Sequence, residues 1–143
     1  MQSEGSAAPG YSNALERLPD YECLRLMASV PVGRIVYTRQ AMPAVEPVNF
    51  VLDGGDIVIR TDPGGKLAAA TRRAVVAFET DDIDPALQAG WSVTAIGRSR
   101  EVTDPADIAR LRQIGLRTWV PGKREHFIRI TPEILNGRRL AAG

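Results

Sequence analysis

The sequence predicts a mainly β fold with peripheral α: a small closed or split antiparallel barrel with helices at its ends. Three observations carry that expectation. Runs rich in β-branched and aromatic residues recur along the chain, as in VGRIVYTR at residues 32–39 and DIVIRT at 56–61. Asp53-Gly54-Gly55-Asp56 joins two such runs with hairpin chemistry, because glycine accepts positive φ freely. The order of elements is helix, three strands, short helix, two strands, helix, strand. That order is dominated by hairpins and lacks the regular strand–helix alternation of a doubly wound sheet.

Residues 1–14 are rich in Ser, Gly, Ala and Pro and read as a disordered lead-in, followed by a single domain over 15–143. PDYECLRLMASV then places Leu24, Met27 and Ala28 at helical spacing, with Asp20 positioned to cap or charge the first turn and Pro31 to stop the helix. After the strand at 32–39, Met42-Pro43 reads as a turn, and AVEPVNFVLD as the second strand. The third strand, DIVIRT, sets Ile57 and Ile59 on one face and Val58 and Arg60 on the other. A short helix over about 66–72 follows, then a fourth strand, AVVAFET. Asp81, Asp82 and Asp84 read as a solvated acidic loop rather than a cation site. GWSVTAIGRSREVTD is a fifth strand expected to bend at Gly97. Asp104 as N-cap with Pro105 at the first helical position starts the last helix. EHFIRITPEILNGRRL supplies a sixth strand and a short closing segment, with Asn136 to Arg139 read as a turn followed by charges.

Composition narrows the chemistry. A chain of 143 residues, 44% hydrophobic and 24% charged, is long enough for one real core. A net charge of +1 gives no bulk attraction for nucleic acid or an anionic membrane. The single cysteine, Cys23, excludes an intrachain disulfide and any multi-cysteine metal site. The single histidine, His126, excludes a His-rich metal site; it lies in an alternating strand and reads as a surface or core residue. No apolar stretch is long enough to span a bilayer, and the first residues lack the pattern of a signal peptide. The expected location is therefore cytoplasmic.

The stretch IRTDPGGKLAAATRR, residues 59–73, is the most informative motif. It is not a nucleotide-hydrolysing loop: the glycine required five residues before Gly65 is Arg60, and Leu67 replaces the hydroxyl residue after the lysine. No G-x-G-x-x-G follows any strand. A strand, two glycines and a helix start nevertheless form a sound anion cradle, with the amides of Gly64, Gly65 and Lys66 converging and Arg60 and Thr61 adding a charge and a hydroxyl. Lysine in a first helical turn opposes the helix dipole by about 0.3–1 kcal/mol, a cost that a bound anion reverses. The competing reading is a solvated lysine on a loop tip. Lys66 is one of only two lysines among 18 basic residues. In VEPVNF, Pro47 removes a ladder donor, which suits either a flat hydrogen-bonding ligand near Asn49 or an ordinary edge strand. Trp91, between Gly90 and Ser92, is either packing or an aromatic face for a ring.

ASVPVGRIVYT, VEPVNFVLDGGDIVIRTDPGGKLAAATRRAVVAFETDD, GWSVTAIGRSREV and IRITPEILNGRRL together resemble the pyridoxamine 5′-phosphate oxidase-like flavin-binding proteins, particularly their small single-domain bacterial members. The resemblance spans roughly residues 20–140, with the four segments in order and register. It implies a six-stranded antiparallel split β-barrel of the FMN-binding type that forms a homodimer, with FMN in clefts shared by both chains. By position, Glu46, Pro47, Val48 and Asn49 would lie along the isoalloxazine ring, and Arg60, Thr61, Gly65 and Lys66 would hold the phosphate. Trp91 and Ser92 would approach from the second subunit. The implied activity is an FMN-dependent oxidoreductase whose hydride transfer runs through the flavin, with no catalytic side chain identified. The oxidases' Arg-Lys pair is Gly65-Lys66 here, and their C-terminal substrate segment is absent, so pyridoxamine phosphate is not the expected substrate. Alternatives within the resemblance are a deazaflavin-dependent reductase, with Arg72, Arg73 and Arg98 near a longer acidic tail, and a flavin-binding carrier or sensor without turnover. A haem would have only His126 as a strong ligand.

Overall fold

In the computed structural model, residues 15–61, 66–114 and 126–140 are described. The expected lead-in at 1–14 lies outside them. In chain order the elements are β1 Leu15–Leu18, α1 Asp20–Met27, β2 Val32–Arg39, β3 Met42–Asp53, β4 Asp56–Thr61, α2 Lys66–Thr71, β5 Val75–Asp84, β6 Ala89–Glu101, α3 Pro105–Arg112 and β7 His126–Leu140.

All strand pairings are antiparallel, in the order β1-β7-β4-β3-β2-β5-β6, and β6 also pairs with β7. Six strands therefore close into a barrel, β7-β4-β3-β2-β5-β6, and β1 is an added seventh strand on the far half of β7. The mainly β, split-barrel expectation holds. β1 was not foreseen: LERL carries no β-branched residue, and its pairing of Leu15–Leu18 with Gly137–Leu140 is purely tertiary.

Inward side chains form the main core, including Ile35, Phe50, Ile57, Ile59, Phe78, Val93, Ile128 and Ile130. Phe50 and Phe78 meet edge to face with centroids 4.9 Å apart. On the outer face of β4 and β7 a second cluster, Val58, Val102, Leu111 and Phe127, seats α3. Asp104 caps that helix as expected, accepting from the amide of Asp107 at 3.2 Å. Asp20 only charges the first turn of α1; the N-cap is Pro19, which offers no side-chain acceptor. Among the described residues no helix is long and apolar enough to cross a membrane.

Four boundaries differ from the sequence reading. The β2–β3 turn is Gln40-Ala41, both at positive φ (51° and 64°), so Met42 and Pro43 belong to β3 opposite Arg39 and Thr38. Asp81–Asp84 is strand, because β6 supplies register partners as far as Ala89. The presumed closing segment continues β7, with Asn136–Arg139 paired to β6 residues on one side. Helix α2 ends at Thr71 rather than Arg72. The bend at Gly97 is confirmed: the β6–β7 register shifts between Ile96 and Gly97, where a Cβ would meet the backbone of Thr131.

Candidate functional site

The opening in the barrel follows from where one ladder stops. β3 and β4 pair from Asp53–Asp56 to Phe50–Ile59 and no further. Beyond that point β3 pairs only with β2, through Met42–Asn49, while Arg60 and Thr61 pair only with Phe127 and His126 of β7. The amide of Phe50 turns away to the carbonyl of Pro31, at 3.3 Å. Had the β3–β4 register continued, Asn49 would face Arg60 and Val48 would face Thr61. The chain instead parts there, between two groups of expected site residues.

Strand alternation divides these groups by face. Glu46 and Val48 share the inward parity of Phe50; Pro47 and Asn49 share the outward one. Thr61 is inward with Ile57 and Ile59, and 7% exposed. Arg60 is outward, its guanidinium carbon 5.9 Å from the Phe127 ring centroid. A ligand on the outer face of the split would meet the side chains of Asn49 and Arg60 but only the backbone of Glu46 and Val48. Lys66 opens α2, which follows the end of β4; Gly65 lies outside the described residues. Trp91 and Ser92 are not brought to the split of their own chain. Their register partners are Asp82 and Asp81 of β5 and Arg139 and Arg138 of β7. Trp91 is half-buried against the main core.

Two polar pairs inside the barrel were not foreseen as site elements. The Tyr37 hydroxyl donates to Glu46 Oε2, and burial, reinforced by that carboxylate, pushes the phenol pKa up. His126 Nδ1 lies 2.8 Å from Glu101 Oε2. Only strand pairing joins these residues, which stand 9 and 25 positions apart in sequence, so no local motif announced them.

Among the described residues no helix covers the outer face of β3, β2, β5, β6 and the adjoining half of β7. Val45, Val36, Ala77, Ile96 and Ile134 are successive register partners across these five strands. Val45 is 58% exposed and Ile134 56%. Beside this row Arg34 Nη1 bridges Glu79 and Asp81, at 3.3 Å to each. Burial and the neighbouring Asp81 raise Glu79 to about 7. Among the described residues no group of three or more His, Cys, Asp or Glu side chains could hold a metal.

The chain is similar to the uncharacterised Mycobacterium tuberculosis protein Rv0080, 39% identical over 141 residues, covering 95% of this chain and 92% of that protein. It is also similar to the solved structure of an FAD-binding protein from Mycobacterium smegmatis, with 38% identity and a TM-score of 0.74, covering 87% of this chain and 97% of the other. A conserved Corynebacterium diphtheriae protein of unknown function superposes with a TM-score of 0.74 at 30% identity, covering 90% and 99% of the two chains. The family model described as pyridoxamine 5′-phosphate oxidase matches residues 19–139. By that match, with the split barrel it accompanies, the chain belongs to the pyridoxamine 5′-phosphate oxidase family.

Proposed function

We propose that the protein is a flavin-binding oxidoreductase acting as a homodimer, with the flavin held at the split between β3 and β4. The observation that carries this reading is the end of the β3–β4 ladder at Phe50–Ile59, which opens the sheet between Val48 and Asn49 on one side and Arg60 and Thr61 on the other. The donor set there suits a flavin phosphate: a guanidinium and a hydroxyl end β4, and Lys66 begins α2. Asn49 supplies an amide for a hydrogen-bonding ring edge, and Pro47 withholds an N–H. FMN is the proposed cofactor; the similarity to an FAD-binding protein makes FAD the form to test beside it. The bound flavin supplies the redox chemistry. The chain's own residues bind and orient it: Arg60 and Thr61 at the phosphate, Asn49 and the β3 backbone along the ring.

The bare apolar row supports the homodimer. Five aligned apolar residues, Val45 and Ile134 of them more than half exposed, are what a second copy would cover. Val45 stands two residues from Pro47, so a partner on this face would also border the split. Ser92 lies outward beside Asp81 on this same face, which supports reading it as a contributor to the partner's site.

Purified protein is expected to be yellow and to release FMN or FAD on denaturation, with light scattering giving a dimer. Colourless protein that takes up neither flavin but binds a deazaflavin would replace this reading with a deazaflavin-dependent reductase. Lys66→Ala is expected to weaken FMN binding by about 1.5–3 kcal/mol, the range for a hydrogen bond to a charged group. Unchanged affinity in titration would place the phosphate elsewhere.

A further inference from the structure

We propose that His126, oriented by Glu101, is an additional binding residue for the phosphate of the bound flavin; this rests on the flavin reading above. His126 and Thr61 are register partners across β4 and β7. Both point into the barrel, since 126, 128 and 130 share one face, as do 57, 59 and 61, and Ile57, Ile59, Ile128 and Ile130 fill the main core. Directly opposed side chains on antiparallel strands have Cβ atoms about 5 Å apart. The two side chains are therefore neighbours on the inward face at the end of β4.

Glu101, on β6, is the register partner of Ile128 and shares this inward face. Its carboxylate engages Nδ1 at 2.8 Å, which fixes the ring and leaves Nε2 on the opposite side. When both ring nitrogens carry protons, Nε2 is a charged donor suited to a phosphate oxygen. Ser99, two residues before Glu101 on the same face and deeper in the barrel, is 1% exposed, and its hydroxyl has no hydrogen-bond partner among the described residues.

A purely structural role for the pair is a poor fit. The two side chains are 36% and 26% exposed, a setting in which an ion pair adds little stability. The strands they join are already paired from Gly90–Leu140 to Glu101–Ile128, across the register shift at Gly97.

The test compares FMN, FAD and riboflavin, which lacks the phosphate, in fluorescence titrations of the full chain. His126→Ala is expected to weaken FMN and FAD about tenfold while leaving riboflavin unchanged. Glu101→Gln is expected to weaken FMN by less, and to add nothing in the His126→Ala background, because it acts through the ring. Equal losses for FMN and riboflavin, or no loss for either, would overturn the proposal with the flavin reading intact. Wild-type protein that binds none of the three would defeat both.

Discussion

The two outer faces of this barrel are built from the same alternating strands and end differently. Over β4 and β7, Val58 and Phe127 lie beneath α3, which contributes Leu111 at 1% exposed. Over β2, β5 and β6, a second apolar row has no helix above it among the described residues. The charges follow the same division. On the covered face Arg129, its side chain 9% exposed, reaches Asp53 at 2.7 Å and Asp56 at 3.2 Å. Arg110 of α3 grips the same Asp53 through both carboxylate oxygens, at 2.9 and 3.0 Å, so the helix is bolted to the β3–β4 hairpin. On the bare face the two carboxylates outnumber their one arginine, and Glu79 holds its proton to about 7. The face completed within the chain pairs Asp53 with two arginines; the other leaves an apolar row beside two carboxylates that share Arg34, as expected where a second molecule completes it.

The difference can be broken at three levels. The largest effect should follow Phe127→Ala. It empties a fully buried site beneath α3, and a loss of about 3–5 kcal/mol is expected in urea unfolding. A change well under that would mean α3 is not an integral part of the fold.

A middle-sized effect concerns pH, and the two faces should move in opposite directions. Asp53 is held well below its usual value of 3.8, first by Arg110 and then by Arg129. Its stabilisation is present above the unfolded value and fades as pH falls through and below it. Glu79 is raised from 4.5 to about 7, so its contribution is complete below 4.5 and is lost as pH rises to and past 7. Thermal melts from pH 3 to 8 should therefore show a shallower acid limb in Asp53→Asn and flatten between about 5 and 8 in Glu79→Gln. If neither variant changes the profile, the charge contrast between the faces has no energetic content.

The smallest effect on monomer stability, within about 0.5 kcal/mol, is expected from Ile96→Lys at the centre of the bare row. Its effect should appear instead as dissociation in light scattering. A variant that remains a dimer would move the interface to another face.

How much of this was legible in the sequence depended on how local the cause was. Hairpin glycines, the Asp104-Pro105 start and the bend at Gly97 are local signals, and each was placed correctly. Residues 46–49 and 60–61 flank the point where the β3–β4 ladder ends, but neither stretch shows by itself that alternation sends its side chains to different faces. Gln40-Ala41 was missed as a turn because neither residue is a usual donor of positive φ, and the neighbouring Met42-Pro43 looked the better breaker. Tyr37 and Glu101 were invisible as partners of Glu46 and His126. Their meaning comes only from pairing, which in the second case joins residues 25 apart.

Strand β7 borders β1, β4 and β6 at once and follows every other strand in the chain. Until it is synthesised, the free edges of β4 and β6 have nothing to close against, and β1 has no neighbour at all. Closure of the barrel is therefore a late, non-local step of folding, slowed by the long loops it must draw shut. During synthesis the nascent chain carries two open sheet edges, the kind of surface on which neighbouring chains aggregate. A ribosome stalled before residue 126 would present this protein as an unclosed sheet.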